Sequence, residues 1–170
     1  MERWKYLLQD SLINVYYSFV YPYLIYCNHV WGTACKTFMQ TIVLLQKRVI
    51  RIIAGVNRRY HTDPIFNELK LLKCENINTY LTGRLMLKIY NGDIILFQSF
   101  FKKNNEVHKY GTRQIDHYHA PSARTNLGKS ALRFHGAIIW NKILKLEIDP
   151  KMSEYEFAKT LKNYLLHSKL

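Results

Sequence analysis

A mainly α-helical chain is the fold class this sequence predicts, and three observations carry that reading. Apolar residues recur at three- and four-residue spacing in two long segments, a glycine follows each of those segments, and two short stretches carry the chemistry of helix starts. Hydrophobic residues make up 48% of the 170, enough to exclude wholesale disorder and to build one domain or two small lobes.

The first segment, from Trp4 to about Cys27, is aromatic-rich and predicted helical, bent or broken near Pro22, with Gly32 as a natural stop. The next is the clearest helix. Phe38, Ile42, Leu45, Val49, Ile52 and Ile53 form one apolar stripe, and Lys36, Gln40, Lys47 and Arg51 fall on the opposite face at 100° per residue. Val43 lies on the basic side and spoils the pattern, while Gly55 sits where a left-handed cap belongs. Asn57-Arg58-Arg59-Tyr60-His61 reads as a cationic loop. Thr62-Asp63-Pro64 supplies an N-cap and a proline at the first helical position, starting a short helix to about Leu69.

A further helix is predicted from about Glu75 to Asn91, with Ile77, Leu81, Leu85 and Ile89 four apart and Gly92 closing it. Gly83 inside it costs roughly 1 kcal/mol if exposed. From Lys102 to Lys129 the helical period disappears among Lys, Asn, His, Gly and Pro, which predicts loops with short extended pieces. That change suggests two lobes, residues 1–101 and 102–170. Ala131 to Ile143 regains apolar residues around Trp140. Ser153 with Glu156 forms a capping box, and Met152 against Phe157 a hydrophobic staple, for a C-terminal helix with Phe157, Leu161, Tyr164 and Leu165 inward and Lys159 and Lys162 in water.

Charge points to a partner. There are 25 Lys and Arg against 12 Asp and Glu, a formal +13 that repels itself unless a polyanion offsets it, and 13 Tyr add faces for stacking. Nucleic acid is the first candidate and an anionic membrane the second. Ser11 to Cys35 contains no charged residue and is long enough to span a bilayer, yet its Ser, Asn, His and central Pro22 favour a buried, kinked helix pair over a lipid-facing span. Gln9 and Asp10 interrupt the apolar start, so no signal peptide is expected.

Polymerase or nuclease chemistry needs converging carboxylates, whereas Asp10, Asp63, Asp93, Asp116 and Asp149 are scattered. Neither a Walker-type loop nor GxGxxG is present. Catalytic residues, metals and cofactors are therefore all expected to be none. Cys27, His29 and Cys35, and His117 with His119, lack zinc-knuckle spacing; buried, reduced thiols in an intracellular compartment, nuclear or cytoplasmic, and solvated loop histidines are the expectation. Phosphate contacts are assigned to Lys36, Lys47, Arg48, Arg51, Arg58 and Arg59, and to a second cluster of Arg113, Arg124, Lys129 and Arg133, with Tyr110, Tyr118 and Trp140 as candidate stacking rings and Phe134 interleaved.

Several ordered segments carry a family resemblance. Ser18-Phe19-Val20-Tyr21-Pro22-Tyr23-Leu24-Ile25-Tyr26-Cys27 with Trp31-Gly32, then Leu45 to Ile53, His61 to Phe66 with Leu71-Leu72, Tyr110-Gly111-Thr112-Arg113, and Arg124-Thr125-Asn126 with Ser130, Gly136 and Trp140-Asn141 resemble, in order, the region after the palm in LINE-type (non-LTR) retrotransposon reverse transcriptases of the jockey-like and chicken-repeat-like groups. The chain departs from that pattern at Gly136-Ala137, where the family usually has Gly-Pro, and at Leu144-Lys145, where a Leu-Pro pair is usual. The resemblance implies a helical thumb holding a template-primer of RNA or RNA/DNA, followed by a C-terminal lobe, in a chain that lacks the palm with its paired aspartates. It implies a palm domain as a further partner and leaves self-association open. A helical protein-interaction module using the Tyr-rich first segment is the alternative, with membrane attachment third.

Overall fold

The computed structural model describes residues 8–107, 114–146 and 148–167, and they are mainly α-helical, as the sequence predicts. Two compact units emerge. One runs up to Asn78 and includes the end of the last helix from Leu165; the other spans Thr79–Tyr164. The division falls inside a helix and not at the expected 101/102.

In the first unit, α1 (Gln9–Val15), a π-helical turn (Tyr16–Val20) and α2 (Tyr21–Ile25) form one continuous run. Proline has no N–H and its ring crowds the carbonyl four residues back, so the widened turn just before Pro22 takes up the bend the sequence predicts. Cys27 then turns left-handed (φ 48°), and the short α3 (Asn28–Trp31) follows. Gly32 is not a left-handed stop. Its φ is −66°, and a Cβ there would lie 2.5 Å from Asn78 Nδ2 and 2.6 Å from the Asn28 carbonyl oxygen, so glycine is required by a close approach. That approach is held by two buried amides: Asn28 donates to Leu24 O at 2.8 Å, and Asn78 donates to Asn28 Oδ1 at 3.0 Å.

The long helix α4 (Lys36–Ile53) ends as expected. Gly55 is left-handed at φ 65°, Val56 N–H bonds Arg51 O and Gly55 N–H bonds Ile52 O, the double closure of a Schellman motif. Its buried face is not the expected one. Gln46, Ile50 and Ile53 are buried and Val43 half-buried, while Phe38, Leu45 and Ile52 are exposed. At 100° per residue the inner face is turned by about 80° from the apolar stripe. The cause is Gln46, whose amide donates to Tyr16 Oη (3.0 Å) and Leu72 O (2.9 Å) and accepts from Cys74 N–H (2.8 Å). Each of those groups is otherwise an unmet buried partner, so satisfying them together outweighs burying three more apolar side chains. Burial pushes the Tyr16 hydroxyl up to about 12, so it stays neutral. α5 (Asp63–Glu68) starts at the predicted signal with Pro64 in its first turn, although Thr62 makes no side-chain cap bond.

α6 (Cys74–Asn91) closes on left-handed Gly92. In the second unit its Gly83 is buried, not exposed: a Cβ would meet Leu161 Cδ2 at 2.7 Å and Ile143 Cδ1 at 2.8 Å. α7 (Ile95–Gln98) and α8 (Asn104–Val107) are short, and among the described residues the polar stretch around α8 shows one antiparallel bridge, Lys103 to Tyr118, and no longer strand. α9 (Asn126–Ser130) is capped by Thr125, whose oxygen accepts from Gly128 N–H at 3.1 Å. α10 (Leu132–Lys145) runs unbroken through Gly136-Ala137, where an alanine, unlike proline, keeps its amide hydrogen. α11 (Glu154–His167) begins at the predicted capping box: Glu156 N–H to Ser153 Oγ at 3.3 Å, and Ser153 N–H back to Glu156 Oε2 at 3.4 Å. No helix among the described residues is long and apolar enough to cross a membrane.

Two substitutions test this packing. Gln46→Leu leaves three buried polar groups unmet and should lower the unfolding free energy in urea by about 3 kcal/mol, with Gln46→Glu intermediate because it can still accept from Cys74 N–H. Gly83→Ala would raise stability by roughly 1 kcal/mol on an open helix face. Against the fully buried Leu161 and Ile143 it should instead lower it by about 1 to 2 kcal/mol; a rise in melting temperature would show that this face is open.

Candidate nucleic-acid interface

The first basic cluster is assembled by one helix and the turn that follows it. Lys36, Lys47, Arg48 and Arg51 lie within a 120° arc of α4, and Lys47 to Arg51 span about 6 Å along its axis. After the Schellman closure the chain reverses at Asn57–Tyr60, where Asn57 Oδ1 accepts from Arg59 N–H at 3.2 Å and Tyr60 N–H bonds Asn57 O at 2.9 Å. Arg51 ties that turn to the helix by donating from Nε to Tyr60 O at 2.9 Å. Lys36, Arg48, Arg58 and Arg59 are exposed; Lys47 and Arg51 are half-buried. Arg51 is thus a brace as well as a cation.

Among the described residues no carboxylate pairs with a cation of this face. Asp63, the acid whose field reaches Lys47, bonds Lys73 at 2.7 Å, and that partner holds its carboxyl below the usual range. The ion pairs of the described residues are this one and those of Glu154 with Arg84 and Lys88; none involves the first cluster.

The second cluster is only partly gathered. Arg124 and Arg133 are exposed and share a shallow cavity of about 410 Å³ with Pro121, Gly128 and Phe134. The closure of α9 on Thr125 shapes its floor. Lys129 is exposed on α9 but does not line the cavity. Arg113 and Tyr110 lie outside the described residues.

Two of the expected stacking rings are core. Trp140 is 1% exposed, with Tyr90 at 5.4 Å and Phe157 at 6.0 Å between ring centres, so no base can reach its faces. Tyr118 is 8% exposed against Phe101, and Asn141 pins its backbone by bonds to both N–H and C=O. An indole inside an apolar run packs by default, and only the fold could reveal which rings stay outside.

The Tyr-rich segment presents exposed apolar surface, and α4 supplies apolar surface beside it. Phe19 and Tyr23, 69% and 79% exposed, line a groove of about 520 Å³ together with Val20 and with Ile42, Leu45 and Val49 of α4. The α4 residues belong to the stripe expected inside. Gln46 turns them out.

Nothing in either cluster suits a metal. Among the described residues no group of three or more His, Cys, Asp or Glu could hold one. The thiols correct the expectation of buried cysteines: Cys27 and Cys35 are exposed beside the short α3, where little chain is available to cover them, and Cys74 alone is buried. His117 and His119 are half-buried, not solvated.

No family model, no curated protein and no solved structure matches the chain.

Burial pushes the Cys74 thiol up to about 11 and also shields it from reagent. Cys27 and Cys35 should therefore react with a maleimide in the native protein while Cys74 reacts only after urea is added. Mass spectrometry showing rapid labelling of Cys74 would contradict the placement of α6 against Gln46.

Proposed function

We propose that this chain is the thumb and post-thumb region of a LINE-type reverse transcriptase and that it grips a template-primer of RNA or RNA/DNA without supplying the chemistry of polymerisation. The observation that carries this reading is the set of exposed, carboxylate-free cations at one end of α4: Arg48 on the helix and Arg58 and Arg59 on the braced turn. Phosphates meet such a surface through charge and not base identity, so binding is tolerant of sequence and sensitive to salt. The ordered motifs from Ser18 to Asn141 add the parentage. A palm domain would be a natural neighbour of the exposed Tyr-rich run.

A protein-docking role is the second reading, favoured by the groove lined by Phe19, Tyr23 and Leu45, because contiguous apolar surface of this kind marks interaction sites. Concentration-dependent self-association that RNA leaves unchanged would favour it.

Fluorescence anisotropy with a short RNA/DNA duplex should give micromolar binding whose log affinity falls with log salt by roughly 0.7 to 0.9 per phosphate contacted. Reversing Arg48, Arg58 and Arg59 to Glu should abolish binding with the far-UV circular dichroism unchanged. Adding Arg51→Glu should also loosen the fold, since Arg51 braces Tyr60. Salt-independent binding, or none, would overturn the assignment.

A further inference from the structure

We infer that the cleft between α6 and α11 in the second unit is a separate site for single-stranded nucleic acid, in which a base stacks on Tyr155 and neighbouring phosphates meet Lys159 and Lys162. This rests on the nucleic-acid reading but uses none of its residues. The cleft, about 620 Å³, is lined by Tyr80 and Arg84 on α6 and by Glu154, Tyr155, Ala158, Lys159 and Lys162 on α11. Spacings of four and seven residues put Tyr155, Lys159 and Lys162 on one helical face, and Tyr80 and Arg84 four apart on the other wall.

Three features separate this cleft from an ordinary wet helix face. Tyr155 is 76% exposed, so a large ring lies open beside two ammonium groups. Arg84 sits over the Tyr80 ring, 5.8 Å from its centre, and bonds Glu154 at 2.6 Å, so its position on the facing wall is set before any ligand arrives. Thirdly, the carboxylates at the cleft are already engaged, and the one that lines it, Glu154, is neutralised by cations of α6. Glu154 is held by Arg84 and by Lys88 at 3.4 Å, which keeps its carboxyl below the usual range, and Glu156 turns back onto Ser153 in the capping box. No ion pair engages Lys159 or Lys162 among the described residues. Charge that follows a backbone beside a ring that accepts any base is the combination that binds single strands, whereas a duplex hides its base faces.

The test is anisotropy of the full chain with labelled oligouridine, oligothymidine and a blunt duplex. Tyr155→Ala should weaken single-strand binding about tenfold and leave the duplex within twofold, while Tyr155→Phe, which keeps the ring face, should bind like the parent. Lys159→Gln with Lys162→Gln should reduce the single-strand salt slope by roughly 1.4, two contacts at about 0.7 each. Equal loss with RNA and DNA would mark stacking and charge as the recognition, and loss with RNA alone would add a sugar contact; both support the site. If the parent binds duplex and single strand but Tyr155→Ala changes neither, this inference fails and the α4 reading stands. If the parent binds duplex and not single strand, the cleft is likewise excluded. If it binds no nucleic acid, both readings fail.

Discussion

The carboxamide of Gln46 meets three groups that the chain brings from far apart: a tyrosine hydroxyl 30 residues earlier, a carbonyl 26 later and an amide N–H 28 later. A buried amide so surrounded has one workable orientation, because its two donors and its acceptor are not interchangeable. Fixing that side chain fixes the rotation of α4 about its own axis. The rest of the first unit's surface follows from that rotation. With Gln46 inward, the basic arc and the apolar strip of Phe38, Leu45 and Ile52 both face outward, side by side. A helix turned by its apolar stripe alone would bury that strip and show the cations with Val43 among them.

This explains which parts of the fold were legible in the sequence. Features set by bonds among residues a few positions apart were readable: the left-handed closures at Gly55 and Gly92, the Pro64 start of α5, the Ser153–Glu156 box and the disturbance before Pro22. Each is a local backbone geometry that few residue types can adopt. Features set by distant partners were not. Nothing near Gly83 announces that Leu161 and Ile143 will press on it, and nothing near Val43 says that its side of α4 is the inner one. Periodicity reports that a helix is amphipathic, but a buried polar residue with enough partners can outvote it on where the core lies.

The candidate sites divide in the same way. Charge is conspicuous in a sequence because lysine and arginine rarely bury, so Lys36, Arg48, Arg58, Arg59, Arg124, Lys129 and Arg133 are exposed as a reader would assume. Lys47 and Arg51 are half-buried instead, and the bond of Arg51 to Tyr60 gives it structural duty. Aromatic rings are ambiguous in a way that charge is not. Trp140 and Tyr118 stand among basic residues in the chain and lie in the core of the fold, whereas Tyr155, which sits inside a capping box and attracts no notice, is open. Rings serve equally as core and as platform, and the choice is made by neighbours that sequence distance conceals.

The distribution of acids gives the charge its meaning. A chain with twice as many cations as anions could still neutralise any one surface by placing its few carboxylates there. The carboxylates seen engaged do something else: Asp63 bonds Lys73 beside α5, Glu154 joins α11 to α6, and Glu156 caps its own helix. They act at helix starts and between helices, where an anion also meets the favourable end of the helix dipole. Within each unit, cations left facing water, at the end of α4 in one and along α11 in the other, repel their like-charged neighbours, and that repulsion weakens the compact state. A polyanion laid against them reverses the sign of that contribution, so the same side chains that tax the free protein become the ones that stabilise its complex.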